Sequence, residues 1–417
     1  MRTKTAFHYK HTIFACCLAY VAQAIVVNYI PLLYVTFQSE FGISLSTITM
    51  LTTVCFGVQL LVDLVAGKFV DKIGYRACAV AANLLCTIGL CCLAFLPRLL
   101  PPIAGLVLSA CLYAAGAGLI EVIISPIVEA CPTKRKESVM GFLHSAYSWG
   151  SVLVVLVSTL LFSAFGVGHW RIFACLWAIL PLGNAVLFLL VPLYKLPGAE
   201  ETGETQSRPE RGFRSLAKSG LFWLFMLLML CAGASEQAVS QWASAFAEQG
   251  LGISKALGDL SGPMAFAVLM GLCRVFYAKS LKKISLEKLL VIGAAGCVVA
   301  YLLVTLPPLP AVNLIGCALC GLFVGIFWPG TCSLASKSMP YGGTMMFALL
   351  ALAGDIGCMV GPGLVGAVSG IAGDSLKIGI LAASVFPLLS VIGGAVFLRK
   401  KKKTGLPDLP DPLGEEK

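Results

Sequence analysis

The sequence predicts an all-α integral membrane protein, with twelve transmembrane helices arranged as two six-helix bundles around a central cavity. Three observations carry that expectation. The 417 residues are 58% hydrophobic and 12% charged, with a mean hydropathy of +0.91, too little charge to cover a water-soluble surface of this size. The apolar stretches run about 20 residues or more, which suits helices crossing a bilayer and exceeds the roughly 10-residue alternating segments of a membrane barrel. Positive charge also alternates from loop to loop. With the N-terminus inside, all 30 Lys and Arg fall on the cytoplasmic side except Arg98, Arg171, Lys255 and Lys377, as the positive-inside rule requires.

Apolar runs between charged or Pro/Gly breaks place the spans at 11–37, 46–69, 76–96, 101–129, 138–166 and 170–194, then 220–247, 256–279, 286–306, 310–336, 343–371 and 376–398. Arg2, Lys4 and Lys10 precede an apolar run containing Val21-Ala22-Gln23-Ala24, which has the outline of a signal peptide. The run continues to Phe37, however, and is read as an uncleaved first span. A hydrophilic, charged stretch between Lys195 and Gly220 cannot span, so 196–219 is expected to be a cytoplasmic linker. It separates bundles at 1–195 and 220–399, followed by a cytoplasmic tail at 400–417. Both termini are expected inside, in the cell membrane, with the chain a monomer. The net charge of +10 then reflects a cytoplasmic membrane surface and not nucleic-acid binding.

Several function classes drop out. The 17 cysteines are scattered through apolar segments and read as small hydrophobes. Cys317 and Cys320 form a CxxC with no second pair or histidine nearby, so no metal or redox role follows. No cofactor is expected. There is no GxxxxGK[ST] phosphate loop for ATP and no HExxH, and no enzyme signature of another kind.

Charge inside the spans is the functional signal. A carboxylate near the bilayer centre is costly unless it meets a partner, water or the bundle interior. Glu236 and Asp355 fall near mid-membrane, and Asp63 and Glu121 somewhat toward the cytoplasm. Glu121 is a candidate proton site, because a carboxyl removed from bulk water can load and release a proton as a cavity changes sides. The alternative is a permanently paired structural glutamate. Glu236 sits in a stripe with Ser235, Gln237, Ser240, Gln241 and Ser244, with Trp242 at its margin. Such a face would be costly against lipid. Its amides, carboxylate and indole suit a hydroxyl-rich solute such as a sugar, and also an amino acid or nucleoside. Helix–helix hydrogen bonding is the competing role. Gln23 and Asn28 in the first span, with Gln59, Tyr113 and Trp328, are further candidate liners. Asp355 is flanked by Gly354 and Gly357, which also signal close packing.

The segment Gly67-x3-Asp71-Lys72-x-Gly74-Tyr75-Arg76 resembles the loop motif between helices two and three of the major facilitator superfamily. Gly67 would permit close helix approach and Gly74 a tight turn. Asp63 lies two turns before Asp71, near the same face, and joins this candidate gate network. Arg274, in Gly271-Leu-Cys-Arg274, is its weak echo in the second half. A finer resemblance points to the fucose-permease-like branch. Gly116-Ala-Gly118-Leu-Ile-Glu121 through Pro126, Gly233-Ala-Ser-Glu236 with Trp242, and Gly354-Asp355-Ile-Gly357 through Pro362 are similar to its segments. Ser125 stands where that branch has Asn, and the first span offers Gln23 and Asn28 in place of an aspartate.

What the resemblance implies is proton-coupled uptake of a small polar solute, with a sugar favoured, by alternating access between two halves. Glu121, Glu236 and Asp355 would carry the coupling proton. Export by antiport is an alternative. The Gly-rich G-x3-G-P motif of such exporters is missing from helix five, which reads His144 through Gly150-Ser151, whereas Gly357-x3-Gly361-Pro362 lies in helix eleven. A non-transporting membrane sensor or scaffold is the alternative of another class.

Overall fold

The computed structural model describes residues 8–133, 136–194, 216–280, 285–339 and 343–404, and every regular element among them is helical. Among these residues, twelve stretches are long and apolar enough to cross a membrane, from Tyr9–Phe41 to Leu376–Lys401. They coincide with the expected spans, with ends displaced by a few residues. Most of the expected linker (residues 195–215) and of the tail (405–417) lies outside the described residues.

The helices that matter below are α1 (Tyr9–Asn28), α2 (Tyr34–Phe41), α3 (Leu45–Ile73), α4 (Tyr75–Leu99), α5 (Pro102–Glu129), α6 (Lys136–Phe165) and α7 (Trp170–Leu190). The second set is α8 (Gly220–Ser240), α9 (Lys255–Asp259), α10 (Ala265–Ser280), α11 (Leu286–Thr305), α12 (Pro310–Val324), α13 (Phe327–Ser338), α14 (Gly343–Ile371), α15 (Leu376–Ala383) and α16 (Val385–Thr404). Proline sets several boundaries. Pro102 and Pro310 open α5 and α12, where the missing N–H has no intrahelical partner to lose. Pro31 accompanies the 3-10 turn between α1 and α2, and Pro263 the π turn Leu260–Met264 between α9 and α10. Gly74 joins α3 to α4 at φ +94°, a conformation that a side chain would strain.

The helices fall into two compact units, one holding α1–α7 with Ser254–Leu260 and the other the remaining helices. In the first, α4 lies tightly on α5. A methyl group at Gly89 would come 2.5 Å from the Tyr113 backbone nitrogen, and one at Gly116 would come 2.6 Å from the Ala82 carbonyl oxygen. Asn184 on α7 donates to Asn83 Oδ1 on α4 at 3.1 Å and to the Ala15 carbonyl on α1 at 3.2 Å, a buried polar tie across three helices. Residues of α9 also belong to this unit. Lys255 donates to the Leu32 carbonyl and pairs with Asp259 at 3.2 Å, and Thr159 of α6 donates to Asp259 Oδ2 at 3.4 Å.

In the second unit α8 and α14 meet backbone to backbone. A methyl group at Gly233 would lie 2.1 Å from the Gly354 carbonyl oxygen. At Gly357 it would lie 2.0 Å from that of Leu230, and at Gly361 2.4 Å from that of Ala234. This is the small-residue contact typical of helices associating in lipid. Large apolar side chains such as Leu64, Phe95, Leu160, Ile179, Val299, Ile315 and Ile392 remain exposed along both units, as lipid-facing positions should.

Candidate functional site

In the first unit, α1, α3, α5 and α6 carry the polar residues. Gln23 of α1 is 6% exposed, and its Nε2 donates to Glu121 Oε2 of α5 at 3.0 Å. An amide donor stabilises the ionised carboxylate without adding a second charge. One turn along, Tyr20 and Ser125 share a hydroxyl–hydroxyl contact of 3.3 Å, and the ring of the exposed His144 on α6 lies 5.6 Å from that of Tyr20. Asn28 donates to the Ala24 carbonyl at 2.9 Å and to Ser151 Oγ of α6 at 3.0 Å, which ties it between two helices. Gln59 on α3 is 5% exposed. Asp63 follows it by one turn, and its carboxylate comes within 4.8 Å of that of Glu121. Tyr113 is buried two turns away on α5, with its backbone against Gly89.

The loop motif is described in part. The surroundings of Gly67 and of the Asp71 side chain lie outside what is described, and Lys72 is exposed. Arg76 reaches from the start of α4 to the end of α7. Its Nη1 donates to the carbonyls of Phe188 (2.6 Å) and Leu189 (2.8 Å), and its Nη2 to that of Val191 (2.9 Å). Those carbonyls have no partner within their own helix, so a guanidinium fork is well matched to them.

The second unit places the stripe of α8 along one hydrogen-bonded line. Gln241 donates to Gln237 Oε1 at 3.0 Å, Gln237 donates to Glu236 Oε1 at 3.4 Å, and Arg274 of α10 pairs with Glu236 Oε2 at 3.5 Å. The Glu236 and Arg274 side chains are 12% and 20% exposed, withdrawn from water yet not sealed. Trp242 is fully buried, and its indole N–H donates to the Pro362 carbonyl at 3.0 Å, so it ties the turn that follows α8 to α14. The Trp328 ring of α13 packs over Gly354, where a methyl group would meet it at 2.3 Å. Asp355, the next residue, is half-buried.

Sequence reasoning did not single out the Asp63–Glu121 proximity, the reach of Arg76 onto α7, or two further pairs. Glu40 accepts from both Trp170 Nε1 (2.8 Å) and Arg171. Glu287, 2% exposed, is held by Lys401 at 2.9 Å.

A family model described as Major Facilitator Superfamily matches residues 12–362. None of the curated protein sequences matches significantly. Among solved structures, a bacterial homolog of the human lysosomal transporter Spinster, inward-facing and unoccupied, is 15% identical with a TM-score of 0.78, over 94% of this chain and 98% of that one. A D-xylose-proton symporter is 14% identical with a TM-score of 0.74, over 96% and 98%. The xylose transporter XylE from E. coli, partially occluded and inward open, is 13% identical with a TM-score of 0.72, over 94% and 97%. At these identities the likeness is one of fold.

Proposed function

Because the chain belongs to the major facilitator superfamily, and so is a transporter and not an enzyme, we propose that it takes up a small polar solute together with protons by alternating access. The observation that carries this reading is the Gln23–Glu121 contact, which puts an amide-held carboxylate inside a membrane bundle. A carboxylate there persists only with a partner, water or a task. The line Gln241–Gln237–Glu236–Arg274 supplies the directional donors and acceptors that a hydroxylated solute needs. A sugar is our favoured solute, in keeping with the fucose-permease-like segments around Glu121, Glu236 and Asp355. Sugar and proton are also named together for one structure of similar fold. In this reading Glu121, Glu236 and Asp355 handle the proton. Gln23, Asn28, Gln59, Gln237 and Gln241 contact solute, while Trp242 and Trp328 support them by packing. The halves at 1–195 and 220–399, the linker 196–219, a monomeric state and cytoplasmic termini in the plasma membrane complete the proposal.

The test is solute-triggered pH change in proteoliposomes, screening D-xylose, hexoses, deoxyhexoses, amino acids and nucleosides, with Glu121→Gln in parallel. Alkalinisation outside with one solute class, lost in the variant while exchange persists, is the expected result. Solute flux without any pH change would sink proton coupling. Efflux of hydrophobic cations with no response to sugars would favour an exporter.

A further inference from the structure

The interior of the first unit holds a second carboxylate beside Glu121. Asp63 on α3 and Glu121 on α5 bring carboxylate oxygens within 4.8 Å of each other. The helices meet there because position 118 has no side chain. A methyl group on Gly118 would lie 3.0 Å from the Gln59 carbonyl oxygen and 3.2 Å from Asp63 Oδ1. Gln59 and Asp63 are four residues apart and share a face of α3, while Gly118 and Glu121 are three apart and share a face of α5. Gln59 is an independent sign that polar chemistry is concentrated at this contact. It is 5% exposed, and its Oε1 has no hydrogen-bond partner among the described residues.

Two ionised carboxylates this close and withdrawn from bulk water repel each other, whereas a proton on one turns the repulsion into attraction. We propose that Asp63 and Glu121 act as one proton-carrying pair, loading and releasing a single proton together, with Gln23 fixing the Glu121 side. Loading takes one proton from solvent and changes the pair's charge from −2 to −1, and release returns that proton. The inference rests on the proton-coupled reading above and adds Asp63, otherwise a residue of the gate, to the groups that bind the ion.

Other titratable groups surround the pair. Tyr20 of α1 contacts Ser125, and His144 of α6 stands behind Tyr20. Cys86 of α4 lies against Gly116. Among the described residues of the first unit, none of these adds a further carboxylate to the pair.

The experiment needs no solute. Purified protein in nanodiscs is titrated while the C=O stretch of protonated carboxyl groups is followed by infrared difference spectroscopy, in the wild type, Asp63→Asn, Glu121→Gln and the double variant. The wild type should lose one carboxylic-acid band on alkalinisation. In each single variant the remaining carboxyl should bind its proton at least about tenfold more weakly, because its charged neighbour is gone. The double variant should lack the band.

A midpoint in Asp63→Asn within about threefold of wild type would overturn the pairing, since interacting sites must shift each other. Asp63→Glu guards against a purely structural effect. It keeps a carboxylate and should restore the wild-type band, and failure to do so in a protein that elutes as a single species also overturns the proposal. If the band behaves as stated but no sugar drives proton movement in proteoliposomes, the coupling reading fails and the pair stands.

Discussion

Gln23 Nε2 lies 3.0 Å from Glu121 Oε2 and donates to it, so the glutamate of α5 is oriented by a neutral side chain of α1. The consequence can be tested on stability as well as transport. Gln23→Leu keeps the volume and removes the donor, leaving a half-buried carboxylate oxygen without it. The expected cost is about 2 kcal/mol, the usual scale for a hydrogen bond to a charged group, read as a lower thermal transition in detergent. A variant that melts with the wild type would show that Glu121 is held by other contacts.

Arg76 is expected to matter through geometry more than charge. Its fork spans three carbonyls at the end of α7, which a single ammonium cannot reproduce. Arg76→Ala should lower stability by about 2 kcal/mol. Arg76→Lys should recover less than half of that, measured on the same melting curve. Full recovery by lysine would reduce the site to simple electrostatics at a helix C-terminus.

Glu236 and Arg274 form a pair with little access to water. Removing one partner strands the other, so Arg274→Gln alone should destabilise by about 3–5 kcal/mol. Combining it with Glu236→Gln should recover much of the loss. A double-mutant cycle gives the coupling directly, and strictly additive effects would mean that the two residues act separately.

Glycine substitutions should divide by location. Gly357→Ala forces a methyl group to 2.0 Å from the Leu230 carbonyl oxygen, and overpacking of this kind costs about 1–3 kcal/mol or more. Gly183 in α7 has nothing within 4 Å of an added methyl. Gly183→Ala should therefore stabilise, by up to about 1 kcal/mol, through helix propensity alone. Thermal melting of both variants side by side checks the contrast.

Hydropathy and loop charge located the helices because both are local properties, summed over about 20 residues at a time. The turn at Gly74 and the helix starts at Pro102 and Pro310 were legible for the same reason, since each depends on a residue's own backbone. Partners were harder to see. The spacing of Ser235, Glu236, Gln237 and Gln241 revealed a polar face of α8, but not that Arg274 would meet it. Asp63 read naturally with Asp71, its neighbour on α3, whereas the structure sets it beside Glu121 on α5. One-dimensional periodicity says which way a side chain leaves its helix, not which helix stands opposite. Trp242 shows the same gap. An indole beside a polar stripe looks like a solute platform, yet its N–H is spent on the Pro362 carbonyl.

The run of Gly233, Gly354, Gly357 and Gly361 has a mechanical consequence. Where backbone rests on backbone there are no side chains between the helices to rotate aside, so α8 and α14 form a single stiff beam. Glu236 is fastened to one rail of that beam and Asp355 to the other. The separation of the main chain at those two residues is therefore set by backbone contact, and only their side-chain torsions remain free to move the carboxylates.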